Sequence, residues 1–283
     1  MLIRPRRSIL FLPGSNTRAI EKARGLDCDS IIFDLEDAVA PEKKLLAREQ
    51  VLAAVGSQDF GRREKIVRIN AFNTIWGDHD AAAFSSANID GVMLPKVEST
   101  DAIEQLADVT EHPIWCNIET PLGVLGAANI AAHKKVAALV AGTNDLSAML
   151  RVPYLPDRTG LLASLGLMIL AARAHDKLVF DGTFTHITDD KGFLLECRQG
   201  WALGFDGKTL IHPDQIAPAN QIFSPSAQEI AAAQEIVATY MSTMNGQSGV
   251  AIAGGKMIEK LHFDAANRLL QMADAISNKS KHL

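Results

Sequence analysis

Asn117-Ile-Glu-Thr-Pro-Leu-Gly-Val124 is followed, one structural unit later, by Ala141-Gly-Thr-Asn-Asp-Leu146. Each segment closes a run of apolar, strand-forming residues, Ile114–Ile118 and Val136–Ala141, with a carboxylate, Glu119 and Asp145. Parallel neighbouring strands would bring both carboxylates out at the same strand ends, where one hard cation can bridge them. Magnesium suits such a pair, because it commonly takes one or two protein carboxylates and leaves its other positions to water and substrate oxygens. Gly123 and Gly142 clear space beside them. Taken singly, either acid reads equally well as a helix cap or a turn opener. Together they favour a metal site.

Outward from this pair, short runs of the same kind recur at Ser8–Leu12, Ser30–Leu35, Lys65–Asn70, Gly91–Pro95, Leu178–Asp181 and Lys208–Ile211. Their spacing is about 20–40 residues, the length of a βα unit. Helical patterns lie between them: Thr17–Arg24, Lys43–Val55, Ile75–Ala87, Thr100–Thr110, Val124–His133, Thr159–His175 and Gly192–Gly204. Thr100 and Thr159 stand at capping positions. Eight strands alternating with helices predict an α/β chain folded as a (β/α)₈ TIM barrel. The alternative is an open doubly wound sheet, but no glycine fingerprint follows the first strand. Polar residues gather instead at many strand ends: Asn16, Glu36, Arg68, Lys96, Glu119, Asp145, Asp181 and His212. A barrel that builds its site from βα loops has this distribution.

Two more helical segments, Ala227–Met244 and Lys256–Ile276, predict a C-terminal helical extension. The expected division is a barrel over residues 1–223 and an extension over 224–283. Between the two segments, Asn245–Gly255 carries four glycines, a link flexible enough to swing the last helix over a mouth as a lid. The tail Ser277–Leu283 is polar and is expected to fray.

With 283 residues and 47% apolar content the chain can bury a substantial core. A net charge of −5 without a basic cluster argues against nucleic acid as a partner. Cys28, Cys116 and Cys197 lie scattered, as in a reducing cytoplasm. The apolar run Ile9–Leu12 behind Arg4, Arg6 and Arg7 is too short for a signal-peptide core. No window approaches the roughly 18 unbroken apolar residues of a membrane span. A soluble cytoplasmic enzyme is expected.

Three further places carry chemistry. Asp34-Leu-Glu-Asp37 puts three carboxylates in four residues, with Asp34 and Glu36 on one face by alternation. They form either a solvated acidic loop or, near magnesium, groups that bond its water ligands or serve as a base. Arg68, inside Val67-Arg-Ile-Asn70, must be paired or reach a polar cavity, since an unpaired buried charge is too costly. An ion pair with Glu36 and an oxyanion clamp both meet that need. Pro13-Gly14 turns the first loop into a helix bearing Arg18 and Lys22, a simple turn or a phosphate site. Lys96 reads as a surface or a mouth lysine, and His212 as a turn histidine.

Read together, several segments resemble the citrate lyase β-subunit-like family of acyl-CoA lyases, which includes malyl-CoA and citramalyl-CoA lyases. They are Arg7–Gly14, Asp34–Asp37, Lys44–Arg48, Val67–Asn70, Met93–Glu98, Ile118–Gly123, Gly142–Leu146, Gly204–Lys208 with Ile211–Pro213, and Gly255–Ile258. The resemblance implies a TIM barrel, Mg²⁺ held by Glu119 and Asp145, a CoA thioester substrate and a homo-oligomer, commonly a trimer or hexamer. It implies that Arg68 contacts substrate beside the acids Glu36 and Asp37. Pro13, Gly14 and Lys22, with Ile211, His212 and Pro213, would lie along CoA. Relatives usually carry Lys-Met-Ile-Asp, then one residue and proline, and that aspartate reaches a neighbouring subunit's site. Here the segment is Lys256-Met-Ile-Glu-Lys-Leu261, so Glu259 is the expected acid. The implied reaction is reversible Claisen-type cleavage of a malyl-CoA or citramalyl-CoA type thioester to acetyl-CoA and a 2-oxo acid. The alternatives are the β subunit of a citrate lyase with a carrier-bound citryl thioester, a malyl-CoA thioesterase, and a non-catalytic binding subunit.

Overall fold

Apolar, mostly branched residues on successive short runs pair in parallel to form eight strands of one closed sheet, ordered β1 to β8. They are β1 (Ser8–Pro13), β2 (Ser30–Asp34), β3 (Glu64–Arg68), β4 (Gly91–Leu94), β5 (Ile114–Ile118), β6 (Val136–Ala141), β7 (Leu178–Asp181) and β8 (Gly207–Leu210). The computed structural model describes residues 4–57, 59–245, 251–253 and 256–280. Closure comes from β1 pairing with β8 as well as with β2. The connecting helices are α1 (Thr17–Ala23), α2 (Lys44–Ser57), α3 (Gly77–Phe84), α4 (Asp101–Ala107), α5 (Pro121–Ala132), α6 (Thr143–Leu150), α7 (Leu162–Ala174), α8 (Asp190–Leu203) and α9 (Ile216–Ile222). This is the expected (β/α)₈ barrel.

Alternation along each strand splits the barrel interior into two layers. The lower layer is apolar: Ile9, Ile32, Ile66, Met93, Trp115, Ala138 and Phe180 are all buried in one cluster. Trp115 and Phe180 stack there with ring centroids 4.9 Å apart. Two residues further along the same strands come Phe11, Asp34, Arg68 and Asn117, all lining a cavity at the strands' C-terminal ends. Register brings the chemistry together, with Asp34 opposite Arg68 and Ile118 opposite Ala141. Glu119 and Gly142 therefore leave their strands side by side.

Two helices differ from the expected pattern. None of the expected helices directly follows Val136–Ala141, yet α6 opens there behind Gly142, and α9 runs through Pro218, whose place in the first turn is compatible with a helix. The expected caps also differ. Thr100 precedes α4 without a side-chain bond, and α7 starts only at Leu162, beyond a short 3₁₀ turn at Thr159–Leu161. Asn16, Thr120 and Asp189 do the capping, accepting N–H bonds from Ala19, Gly123 and Gly192.

The chain separates into two compact units, Arg6–Gln221 and a second that contains Ile222 to the C-terminus. In the second, α10 (Ala227–Asn245) packs with α11 (Lys260–Ser280), and Tyr240 stacks on Phe263 with centroids 4.6 Å apart. Within the expected link Ala251–Ala253 forms a short strand, β9, which pairs antiparallel with β10 (Lys256–Ile258), where the last helix is expected to start. The last helix consequently begins at Lys260 rather than Lys256. The link's four glycines lie outside the described residues, as do the last three residues of the tail. No helix among the described residues is long and apolar enough to cross a membrane.

Asp181 stands among the polar strand ends in the sequence, yet it faces away from the cavity. Its neighbour Phe180 takes the interior position, and Asp181 lies under α8, where a Cβ on Gly200 would come within 2.5 Å of its Oδ2. Lys208, with no exposure at all, donates to Asp181 at 3.1 Å and to Glu196 at 2.7 Å, while Arg158 donates to Asp181 at 2.6 Å. Burial pushes the Asp181 carboxyl up, but Lys208 and Arg158 outweigh it and hold it below its ordinary range. Lys208 is held above its ordinary value, because Asp181 and Glu196 overcome its burial. Asp181's contribution is present above its unfolded value and is lost as acid passes the depressed one. That of Lys208 is lost only above about 10, so the Asp181–Lys208 pair contributes unchanged between ~4 and ~10. Lys208→Met leaves two buried carboxylates short of a partner and should destabilise by about 3–5 kcal/mol. Thermal unfolding should show a midpoint lower by roughly 10 °C, and an unchanged midpoint would contradict this assignment.

Candidate active site

The cavity of about 250 Å³ is lined by the ends of β1, β2, β3, β5, β6 and β8 and by the loops that follow several of them. Glu119, Asp145, Arg68, Asp37, Asp34 and Ile211 all reach it. Glu119 is 2% exposed. Its Oε1 accepts the Lys96 N–H at 2.8 Å and its Oε2 accepts Asn117 Nδ2 at 2.5 Å. Burial pushes its carboxyl up to about 7; Arg68 and the Lys96 bond pull it back, and the nearby Asp145 adds to the rise. Thr120, not Glu119, caps α5, which leaves the carboxylate to the cavity. Asp145 lies in the first turn of α6.

Gly142 explains how the two strand ends fit. A Cβ there would collide with Glu119 Cβ and lie 2.7 Å from Oε2, so only glycine lets this carboxylate stand upright. Thr143 Oγ1, buried beside them, has no hydrogen-bond partner.

Arg68 is fully paired, and chiefly not with the residue the sequence suggests. Its Nε and Nη2 donate to both oxygens of Asp34, at 2.7 and 2.6 Å, and Nη1 lies 3.2 Å from Glu36. The guanidinium also sits 5.0 Å from the centre of the Phe11 ring, a cation–π contact. Asp34 is a hub, since it also accepts the N–H groups of Glu36 and Ala38 and so shapes the acidic loop. Burial raises Glu36 above its ordinary value despite Arg68 and Lys96. Asp37 is held below its own, because Lys96 and Arg68 outweigh its burial.

Four residues of this site carry no clear signal in the sequence. Lys96 takes a left-handed backbone conformation, φ 49°, which costs a non-glycine residue about 1–2 kcal/mol. Its Nζ donates to Glu36 at 2.5 Å and to Asp37 at 3.2 Å. Lys44, buried in α2, donates to the carbonyls of Leu35 and Glu36 and to Asn70 Oδ1, at 2.7–2.8 Å. Burial lowers its pKa against the pull of Asp34 and Glu36. Asn70 passes the chain on to Asp80, which Arg48 holds at 2.6 Å. Asn117 completes the set through Glu119. In the sequence Lys96 stands out only as a polar strand end after a proline, and the other three lie in segments read for other residues.

The residues expected along CoA fall into two loops that β1–β8 pairing makes neighbours. Gly14 donates to Asp34 O at 2.7 Å, and a Cβ on it would press on Leu35 and Asp34, so its first duty is packing. Lys22 is exposed on α1. Ile211 lines the cavity. His212 Nδ1 accepts the Asp214 N–H and Gln215 Oε1 accepts that of His212, a reciprocal cap on the turn that opens with Pro213. Glu259 belongs to the second unit, where its N–H donates to His262 at 3.0 Å and its side chain is exposed.

With this geometry in hand, comparison with known proteins decides the kinship. The model of the HpcH/HpaI aldolase/citrate lyase family matches residues 7–213. The chain belongs to this family. A (3S)-malyl-CoA thioesterase of Cereibacter sphaeroides is 45% identical over 274 residues, which cover 96% of each chain. The citrate lyase subunit beta of Leuconostoc mesenteroides subsp. cremoris is 34% identical, over 96% of this chain and 94% of its own. Among solved structures, CitE of Mycobacterium tuberculosis in complex with magnesium, acetoacetate and coenzyme A superposes with a TM-score of 0.80. It is 29% identical, and the match covers 97% of this chain and all of that one.

Proposed function

We propose that this family member is a Mg²⁺-dependent carbon–carbon lyase. It would cleave a β-hydroxyacyl-CoA of the malyl-CoA or citramalyl-CoA type to acetyl-CoA and a 2-oxo acid. The observation that carries this reading is the convergence of Glu119, Asp145, Arg68 and Asp37 on one cavity, with Glu36 against Arg68. Two carboxylates from adjacent strand ends, one of them bedded on Gly142, are a hard-oxygen donor set that fits magnesium. The CitE complex, which contains magnesium and coenzyme A, supports the same choice.

Bound there, magnesium supplies a Lewis acid and a template for the oxygens of a hydroxy acid. The rest falls to the chain's own residues. Glu119 and Asp145 hold the metal. Glu36 and Asp37 are the candidates for taking the hydroxyl proton, both already within the reach of one lysine. Arg68, clamped by Asp34, stabilises charge growing on the thioester oxygen. Glu259 of a neighbouring copy in a homo-oligomer protonates the enolate carbon. The turn after β1 with Pro13 and Gly14, the helix α1 behind it with Lys22, and the adjacent loop after β8 with Ile211, His212 and Pro213 carry the CoA.

A second reading has its own support. The 45% identity to a malyl-CoA thioesterase favours hydrolysis of the same thioester. Incubation with Mg²⁺ and malyl-CoA or citramalyl-CoA separates the two. Acetyl-CoA with glyoxylate or pyruvate is the expected product set; free CoA with the intact hydroxy acid would replace the lyase by the hydrolase. No turnover of any hydroxyacyl-CoA would sink both.

A further inference from the structure

One residue touches three of the acids that the proposed chemistry uses, and that chemistry gives it no task. Lys96 lies just past β4, at sequence distances of 60, 59 and 23 from Glu36, Asp37 and Glu119, and it bonds all three. It does so with different parts: the main-chain N–H serves Glu119 and the ammonium serves the acidic loop. The backbone that permits both is left-handed, and a non-glycine residue persists there only where its surroundings over-determine it. Those surroundings are the three carboxylates.

We propose that Lys96 is a positioning residue for the reaction, its main chain fixing the orientation of Glu119 and its ammonium holding Glu36 and Asp37 toward the same cavity. This inference rests on the lyase reading and adds a part to the site that reading describes. Arg68 cannot do the work, because two of its nitrogens are committed to Asp34 and the third lies against Glu36 alone. Asp37 is paired with Lys96. A compact ammonium with rotatable donors can serve two carboxylates at 2.5 and 3.2 Å, where a planar fork would favour one of them. Without it, like charges on Glu36 and Asp37 would push their side chains apart, although Asp34 and Lys44 still hold the loop's main chain.

Three substitutions separate the two halves of the role. Lys96→Gly deletes the ammonium and suits the left-handed backbone, so the bond to Glu119 should survive. Lys96→Ala deletes the ammonium and keeps the strain, with only the main-chain bond to Glu119 left to hold it. Lys96→Arg keeps the charge. The glycine variant should melt no lower than the parent and bind Mg²⁺ within threefold of it by calorimetry. Its kcat should fall ~100-fold at nearly constant KM, as expected for a misplaced reacting group. The alanine variant should lose the same kcat and also bind Mg²⁺ ~10-fold more weakly. The arginine variant, whose fork favours one of the two carboxylates, should recover only part of the kcat. A glycine variant with parental kcat, or glycine and alanine variants that bind Mg²⁺ equally, would overturn the proposal. If the parent itself cleaves no hydroxyacyl-CoA, the lyase reading fails by itself. The Mg²⁺ contrast, with a crystal structure of the glycine variant showing whether Glu36 and Asp37 have moved, then still decides Lys96.

Discussion

Glu119→Ala is expected to abolish Mg²⁺-dependent turnover, with a fall of at least ~10³-fold in kcat/KM, equivalent to about 4 kcal/mol of transition-state stabilisation. The size follows from the site's economy of ligands. Only Glu119 and Asp145 are assigned to the metal, and an octahedral ion that keeps one carboxylate and its waters is held loosely. The substitution also strands two donors, the Lys96 N–H and Asn117 Nδ2, at a position only 2% exposed. A drop in activity from disturbed folding is therefore a rival explanation. Glu119→Gln answers it, because the amide keeps the shape and one acceptor oxygen while losing the charge. Both variants should lose Mg²⁺ binding by calorimetry, and the glutamine variant should keep the parental melting temperature. Metal-dependent turnover that survives in either would remove Glu119 from the metal site.

Arg68→Lys should lower kcat/KM by about 10²–10³-fold, the range found when one donor to a developing oxyanion is lost. Charge is kept but the fork is not, so the two-point grip on Asp34 and the stacking on Phe11 go with it. Asp34 retains the N–H bonds from Glu36 and Ala38, which should preserve the loop and the fold. Arg68→Ala is the poorer experiment. It leaves Asp34, 1% exposed, without a counter-charge and invites unfolding by about 3–5 kcal/mol. A lysine variant as active as the parent would show that the guanidinium serves Asp34 and nothing else.

The barrel was legible because each strand is a short apolar run of β-forming residues and each interval is a helix long. α6 was not, since its eight residues open with Thr143-Asn-Asp behind Gly142 and reach the core through Thr143, Leu146 and Ser147 alone. α9 was hidden by Pro218. At the site, Glu119, Asp145, Arg68, Glu36 and Asp37 announced themselves as charges at the ends of apolar strands. Lys96 stood among them too, but its task was hidden, because its ammonium serves acids 59 and 60 residues away, and Lys44 and Asn70 meet each other across 26 residues. Asp181 misled for the complementary reason. It too is a charge at a strand end, but alternation turns it outward beneath α8, and nothing in its own neighbourhood of sequence reveals Arg158, Glu196 or Lys208.

The stacked Trp115 and Phe180, with the isoleucines around them, stop the barrel like a cork. Nothing the size of a substrate passes through the core, so the mouth is both inlet and outlet. A small acid seated deep beside Glu119 would stand behind any bulkier molecule at the rim, and the two could not change places. In such a blind vessel the order of arrival and departure is imposed by geometry, with the deeper guest the first to enter and the last to leave.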